Sequence, residues 1–505
     1  MRHSLFLVVC ALIGGFVVAA QAQEEAPASR HAPAAARDDR PPAAAPRPLP
    51  ADSATEHTLA LADRTLTFKA TAGTIKLTDQ KGVEQTDIAY VAYQREGVEA
   101  AKRPVTFVFN GGPGAASVWL HLGALGPWRL PMKDGVATPS SAPVLVDNDD
   151  TWLDFTDLVF VDPAGTGYSQ IVGGEEARKR LWSVDGDIDA LAAVVRRWLA
   201  VNERLASPKF IVGESYGGFR GPRLAKTLAT KEGIGVSGLV LISPALDFSA
   251  LGGVNEPFTA AMLLPSYAAA ARERAGPVTR EQLADVEQYA GGDYLLDYLR
   301  GPRDAAAVGR MVDRVSALTG LDPALVRRLG GRVDKDTFLR EFDRAHGKIG
   351  AVYDATVGAY DPTPTASDSN WLDPILDGFE APLTSAMMDL YAHRLGWKID
   401  YRYEPLSTSV NRAWDWGGGL HAPTSIPELK QMLALDPDFR VLVTQGLTDV
   451  QVPYFGAKLL LDQIPDYGAP GRLTLKVYPG GHMHYMRDAT RKALREDARR
   501  LIEGK

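Results

Sequence analysis

Residues 211–225, IVGESYGGFRGPRLA, decide the fold. The β-branched residues at the start favour a strand, and the residues after Tyr216 favour a helix. Ser215 lies at the junction, between Gly213 and Gly217. Two interpretations are open: the serine starts a helix after a tight turn, or it lies on a strained strand-to-helix elbow that exposes its hydroxyl as a nucleophile. The remaining sequence distinguishes between them.

Short, nearly all-apolar runs predict buried parallel strands. They are residues 105–110, 157–162, 209–213, 238–243 and 440–446. Helical stretches at 187–204 and 216–230 separate several of them, which is typical of a sheet covered by helices on both faces. Alternating runs between 57 and 97 predict antiparallel strands ahead of this sheet. The predicted fold class is therefore α/β, with a mostly parallel central sheet, N-terminal antiparallel strands and a helical cap inserted before the strand at 440–446.

The chain is expected to divide into five segments. Residues 1–22 have a basic start, an apolar run and a small-residue end, which is the layout of a cleaved secretory signal. The Ala/Pro-rich residues 23–55 predict a disordered linker. The α/β core is expected in two parts, 56–249 and 376–505, around a helical cap over 250–375. We therefore expect an exported protein, periplasmic or secreted, and leave open the alternative that the first segment stays uncleaved as an anchor.

Composition excludes several classes of partner. The net charge of the 505 residues is -7, and no run of Lys and Arg resembles a nucleic-acid footprint. Residues 487–505 are basic, but their apolar spacing predicts a terminal helix with a solvated face. Cys10 is the single cysteine and lies in the predicted signal, so we expect no disulfide. We expect no nucleic-acid partner and no membrane contact beyond the signal segment, and the oligomeric state is not readable.

Two further segments favour the nucleophile interpretation of Ser215. Asp449 follows the predicted strand 440–446, and His482 lies in a Gly-rich loop after another predicted strand, 473–478. The order Ser, Asp, His, with the acid and the base on loops at the carboxyl ends of strands, is that of the α/β-hydrolase fold. We predict a catalytic triad in which His482 takes the proton of Ser215 and Asp449 holds the imidazole tautomer.

The segment NGGPGAAS, residues 110–117, predicts an oxyanion hole. Its glycines let main-chain N–H groups approach a substrate without a Cβ in the way. We predict that the N–H groups of Gly112 and Tyr216 converge on the developing oxyanion. The alternative, a phosphate-binding loop, requires a Gly-Lys-Ser/Thr sequence that does not follow here.

Four motifs together resemble the serine carboxypeptidase family, in its bacterial serine carboxypeptidase-like form. They are FVFNGGPGAAS, DNDDTWLDFTDLVFVDPAGTGYS, FIVGESYGGFRGPRLA and GGHMHY, and their order and spacing span most of 105–485 apart from the helical insertion. The resemblance implies peptide cleavage through an acyl-enzyme on Ser215, with no metal or cofactor. It also implies that Asn110 and Glu214 help to hold the free α-carboxylate of the substrate.

The sequence also departs from the family pattern. Val108 stands where a tryptophan is usual, and Ala124 stands where a second glutamate normally pairs with Glu214. Two carboxyls in contact share a proton, so without the partner we expect a less perturbed pKa for Glu214 and an activity optimum nearer neutral than is usual for the family. The departures keep a non-peptidase esterase or acyltransferase on the same scaffold as an alternative. A catalytically dead binding module of the same fold is a second alternative, against which the intact Ser, Asp and His set counts.

Three other patterns have structural interpretations. His484, next but one to His482, suggests zinc, but no third ligand at a suitable spacing is evident. The segment DGDID, residues 185–189, opens like a calcium loop, yet its later positions lack the glycine and glutamate that such a loop requires. We interpret it as acidic residues at the start of a helix. The segment WDWGGG, residues 414–419, either lines the cleft or packs in the core.

Overall fold

The computed structural model describes residues 47–504, except 133–134, 137, 141, 252–255, 367–372 and 420. Nine numbered strands form the path of the central sheet in this part of the chain. They are β1 Ser53–Ala60, β2 Thr65–Thr78, β3 Glu84–Arg95, β4 Val105–Phe109, β5 Asp157–Val161, β6 Lys209–Glu214, β7 Gly238–Ile242, β8 Arg440–Gly446 and β9 Leu473–Tyr478. A short strand, Gln170–Ile171, pairs with β3 beside this path.

The strand order is β1-β2-β3-β5-β4-β6-β7-β8-β9. The pairs from β1 to β5 are antiparallel, and the pairs from β5 to β9 are parallel. The register sets Phe109 at the end of β4 beside Gly213, and Glu214 at the end of β6 beside Ile242. The carboxyl ends of these parallel strands therefore meet at one edge of the sheet, where an α/β fold places its site.

Helices cover both faces of this sheet and fill the long connection between β7 and β8. The α-helices of the described chain are α1 Val118–Leu120, α2 Gly174–Leu181, α3 Val184–Val201, α4 Tyr216–Thr227, α5 Pro257–Glu273, α6 Ala284–Tyr289, α7 Leu295–Arg300, α8 Ala305–Thr319, α9 Pro323–Arg328, α10 Lys335–Glu341, α11 Pro374–Asp389, α12 Thr408–Arg412, α13 Ile426–Leu435, α14 Tyr454–Leu461 and α15 Asp488–Glu503. Two small antiparallel pairs join Trp128–Arg129 to Val146–Asp147 and Lys348–Gly350 to Gly358–Tyr360.

Alternation along the buried strands divides the core between the two faces of the sheet. Val108, Val212 and Leu442 pack on the face that carries α15 and the segment after α1, together with Tyr485. Phe107 and its alternating neighbours in the other strands pack on the opposite face, against α3, α4 and α13. The helices α5 to α10 have their own apolar cluster, which includes residues of α14. These layers confirm the predicted α/β-hydrolase class with a helical insertion.

The predicted elements agree closely with the observed ones, with one correction at the N-terminus. The predicted helix 187–204 is α3, Val184–Val201, and the predicted helix 216–230 is α4 with a π-helical turn after it, Leu228–Glu232. The predicted linker 23–55 overlaps β1, which pairs with β2 from Ser53 onward. Ala51 also accepts a hydrogen bond from the indole of Trp397, at 3.0 Å, so that stretch is held by the core rather than free.

The predicted signal, residues 1–22, and most of the predicted linker lie outside the described residues. The segment boundaries at 249–250 and 375–376 stay predictions. Of the helices in the described part of the chain, none combines the length and the hydrophobicity that a membrane crossing requires.

Candidate active site

Ser215 lies on a strained elbow between β6 and α4. Its backbone has φ 59° and ψ -120°, and its side chain does not cap the helix that follows. A non-glycine residue with positive φ is costly unless its surroundings hold it. Here Ser215 donates its N–H to Ile242 at 3.0 Å and accepts from Ala245 at 3.1 Å. A Cβ on Gly213 would lie 2.1 Å from the carbonyl oxygen of Gly217, so the turn requires glycine there. This geometry is that of the elbow and not of a serine that merely starts a helix.

Asp449 and His482 lie together at the carboxyl ends of β8 and β9. Oδ2 of Asp449 is 2.7 Å from Nδ1 of His482, and Oδ1 accepts hydrogen bonds from the N–H groups of Gln451 and Val452 at 2.8 and 2.9 Å. Both side chains are buried. Among the described residues, Nε2 of His482 has no hydrogen-bond partner. With Nδ1 protonated towards Asp449, this nitrogen keeps a lone pair that can accept a proton.

The loop that carries His482 is connected to the elbow through β7. Ser243 donates its hydroxyl to the carbonyl oxygen of His482 at 2.7 Å, and the residue before it, Ile242, accepts the N–H of Ser215. The base and the elbow are therefore joined through two consecutive residues at the end of one strand. This connection limits how far either can move relative to the other.

The charges around His482 favour its protonated form. Burial, the largest single effect, lowers its pKa, while the charge of the Asp449 carboxylate and its hydrogen bond raise it. The carboxyls of Glu214 and Asp373 act in the same direction, so the net shift is upward. Burial raises the pKa of Asp449, against the opposing effect of the imidazolium. An imidazolium formed at this site is consequently stabilised by the groups around it.

A segment of the insertion supports both of these loops. His482 donates its N–H to the carbonyl oxygen of Tyr353 at 2.5 Å, and the two rings lie edge to face with centroids 5.1 Å apart. Ala355 donates to the carbonyl oxygen of Thr448 at 3.0 Å. Residues 352–355 therefore bond directly to the base and to the residue before the acid. We call residues 352–355 the bracing segment.

The predicted oxyanion loop lies against the elbow. A Cβ on Gly111 would be 2.5 Å from the backbone nitrogen of Tyr216 and 2.7 Å from the carbonyl oxygen of Glu214. Gly112 follows at an exposed position. The structure thus brings the loop that carries Gly112 into contact with the backbone of Tyr216, and the oxyanion hole stays a prediction.

A buried ion pair that the sequence analysis did not predict holds the start of the predicted oxyanion loop in place. Arg220 of α4 is fully buried; its guanidinium bonds Asp187 of α3 at 2.7 Å and donates to the carbonyl oxygen of Asn110 at 2.7 Å. Asp187 lies in the first turn of α3, as our interpretation of DGDID expected. Its burial and its partner were not predicted, because the interpretation considered only the helix dipole and the sequence does not show which residue a side chain contacts.

Glu214 is a buried carboxyl held by neutral donors. Tyr485 donates its hydroxyl to Oε2 at 2.8 Å, and the side chain of Asn110 also hydrogen-bonds this carboxyl. Burial raises the pKa of Glu214 to about 7, against the lowering effects of His482, Tyr485 and Asn110. The pKa is thus clearly perturbed even without a second carboxyl in contact, because loss of solvent, the largest effect, disfavours the charged form.

Tyr485 is the site residue that sequence reasoning did not single out. It is the last residue of the GGHMHY motif and is fully buried. Its ring lies where a Cβ on Gly123 would be only 2.8 Å away, next to Ala124, whose carbonyl accepts from Asn148 at 2.7 Å. Its place in the GGHMHY motif is the sequence feature that points to a role in the site.

The remaining predicted features are structural. His484 is buried, bonds Thr444 through Nε2 at 3.1 Å, and has a pKa lowered by burial to about 3. No group of three or more His, Cys, Asp or Glu that could hold a metal ion occurs among the described residues. Trp414 and Trp416 lie edge-on to the Tyr216 ring, with centroids 5.4 and 5.7 Å away. The WDWGGG segment therefore packs around the residue that follows the nucleophile.

Comparison with known proteins agrees with this geometry. Residues 61–261 match the family model for serine carboxypeptidases. The chain is 32% identical over 138 residues to the pheromone-processing carboxypeptidase KEX1 of Podospora anserina, covering 27% of this chain and 21% of that protein. It is 30% identical over 167 residues to serine carboxypeptidase-like 20 of Arabidopsis thaliana, covering 31% of this chain and 30% of that protein.

These matches span at most about a third of the length of the curated relatives, whose organisms are eukaryotic. Our expectation of a bacterial, periplasmic member stays a prediction. The fold match is longer: the crystal structure of Kex1(delta)p, a prohormone-processing carboxypeptidase from Saccharomyces cerevisiae, superposes with a TM-score of 0.53 and 15% identity, covering 86% of this chain and 91% of that one. Residues 61–261 are thus similar to the serine carboxypeptidase family, and the chain has the α/β-hydrolase fold.

Proposed function

We propose that this protein is a serine hydrolase that removes residues from the carboxyl ends of peptides through an acyl-enzyme on Ser215. Two observations carry the proposal: the half-buried Ser215 lies on a strained elbow, and the buried Nε2 of His482, in the Asp449–His482 couple, has no hydrogen-bond partner among the described residues. A base with one nitrogen anchored and the other free is what activation of a serine hydroxyl requires.

In the first half-reaction, His482 Nε2 takes the hydroxyl proton of Ser215 as Oγ forms a bond to the carbonyl carbon of the scissile amide. The carbonyl oxygen becomes an oxyanion, which accepts hydrogen bonds from the N–H groups of Gly112 and Tyr216. Asp449 stabilises the imidazolium. The C–N bond then breaks, the imidazolium gives its proton to the leaving amine, and the carboxyl-terminal amino acid departs.

In the second half-reaction, a water takes the place of the leaving amine. His482 Nε2 removes a proton from this water as its oxygen adds to the acyl carbon. The tetrahedral intermediate collapses, the bond to Ser215 Oγ breaks, and Oγ recovers the proton from the imidazolium. The product of this half-reaction is the shortened peptide, with a new carboxyl end, and the hydroxyl of Ser215 is regenerated.

Recognition of the free carboxyl end falls to Asn110 and Glu214. Both are buried and lie beside the elbow, because Asn110 ends β4 and Glu214 precedes Ser215 in the chain. With its pKa near 7, Glu214 is protonated below neutral pH and can then donate a hydrogen bond to a carboxylate. When ionised it would repel the same group.

A second function, ester hydrolysis or acyl transfer on the same scaffold, is favoured by the positions that depart from the family. Ala124 and Val108 are both apolar and buried, so they add no donor for a carboxylate. This alternative uses the same Ser215 chemistry, but its leaving group is an alcohol or thiol without a free carboxylate rather than an amino acid.

A substrate comparison tests the proposal. Purified protein is first labelled with a fluorophosphonate, with Ser215→Ala as the control; we expect labelling of the wild type only, and an unlabelled folded wild type would favour the non-catalytic module. Blocked dipeptides with free and with amidated carboxyl ends are then compared with a matched ester. We expect a clear preference for the free carboxyl end, and equal turnover of the free and amidated peptides would instead establish the esterase or acyltransferase alternative.

We also propose that residues 1–22 direct export and are removed after Ala22. The support is the sequence pattern of this segment. The intact mass of the protein recovered from an expressing culture tests it: a chain that starts at Gln23 is expected, and a full-length chain in the membrane fraction would contradict cleavage.

A further inference from the structure

The hydroxyl of Tyr485 makes a contact with the proposed binding carboxyl that the mechanism above does not use. This hydroxyl is 2.8 Å from Oε2 of Glu214, and the tyrosine has no exposed surface. The two residues are 271 positions apart in sequence. Most buried phenols in proteins form a hydrogen bond, and the partner of Tyr485 is the carboxyl directly before Ser215.

Asn110 and Tyr485, the two donors to Glu214, are each held in place by other contacts, so together they set the orientation of its carboxyl. Asn110 bonds Glu214 with its side chain, and its Oδ1 accepts the N–H of Leu120 at 3.0 Å. The amide orientation of Asn110 is thereby fixed, and the backbone carbonyl of the same residue is held by Arg220. Tyr485 is fixed by packing against Gly123. Two immobile neutral donors therefore bond one carboxyl.

We propose that Tyr485 is a positioning residue for recognition of the substrate's carboxyl end. Its hydroxyl holds the Glu214 carboxyl in the orientation in which the carboxyl's own proton faces the substrate carboxylate. The inference rests on the proposed function. It assigns to Tyr485 a role in the discrimination between a free and a blocked carboxyl end, and no part in the bond-breaking steps on Ser215.

The proton balance of this contact is simple. Tyr485 donates its hydroxyl proton to Oε2 and keeps it throughout. The carboxyl of Glu214 carries one proton of its own at acid pH, which it shares with the incoming carboxylate. No bond to carbon forms or breaks, and loss of that proton at higher pH turns the contact from attractive to repulsive. Free-carboxyl peptides should consequently bind less well as pH rises through about 7, whereas esters should not.

Other groups also act on the Glu214 carboxyl, from each element packed against it. They are Tyr485 and His482 after β9, Asp449 after β8, Asn110 after β4, and Tyr353 of the bracing segment. His482 and Asp449 act on ester and peptide substrates alike, since both are needed for the reaction at Ser215. A change at Tyr485 is therefore expected to separate the two substrate types, as is a change at Asn110 or Glu214, which are proposed to bind the carboxyl end itself.

The experiment compares wild type, Tyr485→Phe and a protein with 3-fluorotyrosine at position 485, each assayed from pH 5 to 9 on a blocked dipeptide and on its matched ester. Removal of the hydroxyl should raise KM for the peptide roughly tenfold and leave kcat and all ester constants within about twofold. Because the hydroxyl favours the ionised form of Glu214, its removal should raise the pH at which peptide binding weakens, which we call the alkaline limb of peptide binding. The more acidic fluorotyrosine should move it to lower pH.

Two control variants separate a specific from a general effect. Tyr478→Phe removes a hydroxyl that donates to Asp497 at 2.5 Å on the same chain segment, away from Ser215, and should change neither profile. In a Glu214→Gln background, Tyr485→Phe should leave the pH profile of peptide binding unchanged, because no carboxyl remains to titrate. Fluorophosphonate labelling confirms in each case that the site is assembled.

The outcomes are distinguishable. Opposite shifts of the peptide limb in the two Tyr485 proteins, with constant ester kinetics, establish the role. Equal changes in peptide and ester kinetics, or no change in the limb, overturn it while leaving the proposed function intact. If the phenylalanine protein does not label, the fluorotyrosine protein decides alone. A wild type without preference for the free carboxyl end refutes the proposed function and this inference together.

Discussion

The contact between the oxyanion loop and the elbow permits a quantitative prediction for Gly111→Ala. The added Cβ would lie 2.5 Å from the nitrogen of Tyr216, 2.7 Å from the oxygen of Glu214 and 2.9 Å from the Cβ of Ser215. Ordinary contacts of a Cβ begin near 3.4 Å, so the loop has to retreat by about 0.9 Å. Gly111 does not have a left-handed backbone, and the effect is therefore steric alone.

A displacement of that size moves the N–H of Gly112 away from the oxyanion. Misplacement of a catalytic group by about 1 Å typically costs roughly 100-fold in rate, and loss of one oxyanion donor costs about the same or more. We expect kcat for the ester to fall roughly 100-fold, which corresponds to about 2.7 kcal/mol, with KM little changed. Steady-state kinetics and the rate of fluorophosphonate labelling of Ser215 measure the effect.

The matched control is Gly309→Ala in α8. Apart from the backbone of the same helix and the two neighbouring residues, no atom of the described chain lies within 4 Å of a Cβ at that position, so alanine there should leave kcat unchanged and stabilise the helix by up to about 1 kcal/mol. The reasoning is refuted if Gly111→Ala keeps kcat within threefold of wild type, because the loop would then not be pressed against the elbow. A loss of labelling that accompanies global unfolding is recognised by circular dichroism.

The remaining predictions concern charged groups. Asp449→Asn should lower kcat roughly 10⁴-fold with the fold retained, since the amide stabilises neither the right tautomer nor the imidazolium; kinetics within tenfold of wild type would contradict the assignment. Arg220→Met leaves Asp187 buried and unpaired and should lower the free energy of unfolding by about 3–5 kcal/mol, most of which the double variant Arg220→Met/Asp187→Leu should restore in denaturant titrations. Glu214→Gln should gain stability over wild type as pH rises. The folded pKa of about 7 lies above the ordinary value of 4.5, so the wild type loses stability between these two pH values, by up to about 3 kcal/mol. A difference that does not vary between pH 4 and pH 8 would count against a buried, raised pKa.

Much of the fold was predictable because buried parallel strands have an uninterrupted apolar pattern. The run 440–446 coincides with β8, and 157–162 exceeds β5 by one residue. The meeting of Asp449 and His482 followed from the same pattern, since adjacent parallel strands end at one edge. For such residues, position along the strand already implies position in space.

The unpredicted parts depend on contacts between distant segments. The raised pKa of Glu214 results from burial, and its hydrogen-bond donor Tyr485 lies far along the chain. The Arg220–Asp187 pair joins two helices, each of which alone shows only that it has an inward face. The overlap of β1 with the predicted linker has a similar cause: residues 53–55 lack large apolar side chains, and it is pairing with β2 that orders them. Local composition does not contain any of these partners.

The bracing segment has a consequence for how this chain could be re-engineered or diversify. Because residues 352–355 bond to His482 and Thr448, the connection between β7 and β8 is not an exchangeable module that can be excised at its visible ends. A chimaera that replaces it as a whole would lose the backbone partner of the base. Grafts confined to the helices before residue 348, with the pair Lys348–Gly350 and Gly358–Tyr360 left intact, keep that partner. The residues that support the catalytic base therefore extend into the insertion, and only the part before residue 348 can be exchanged without affecting them.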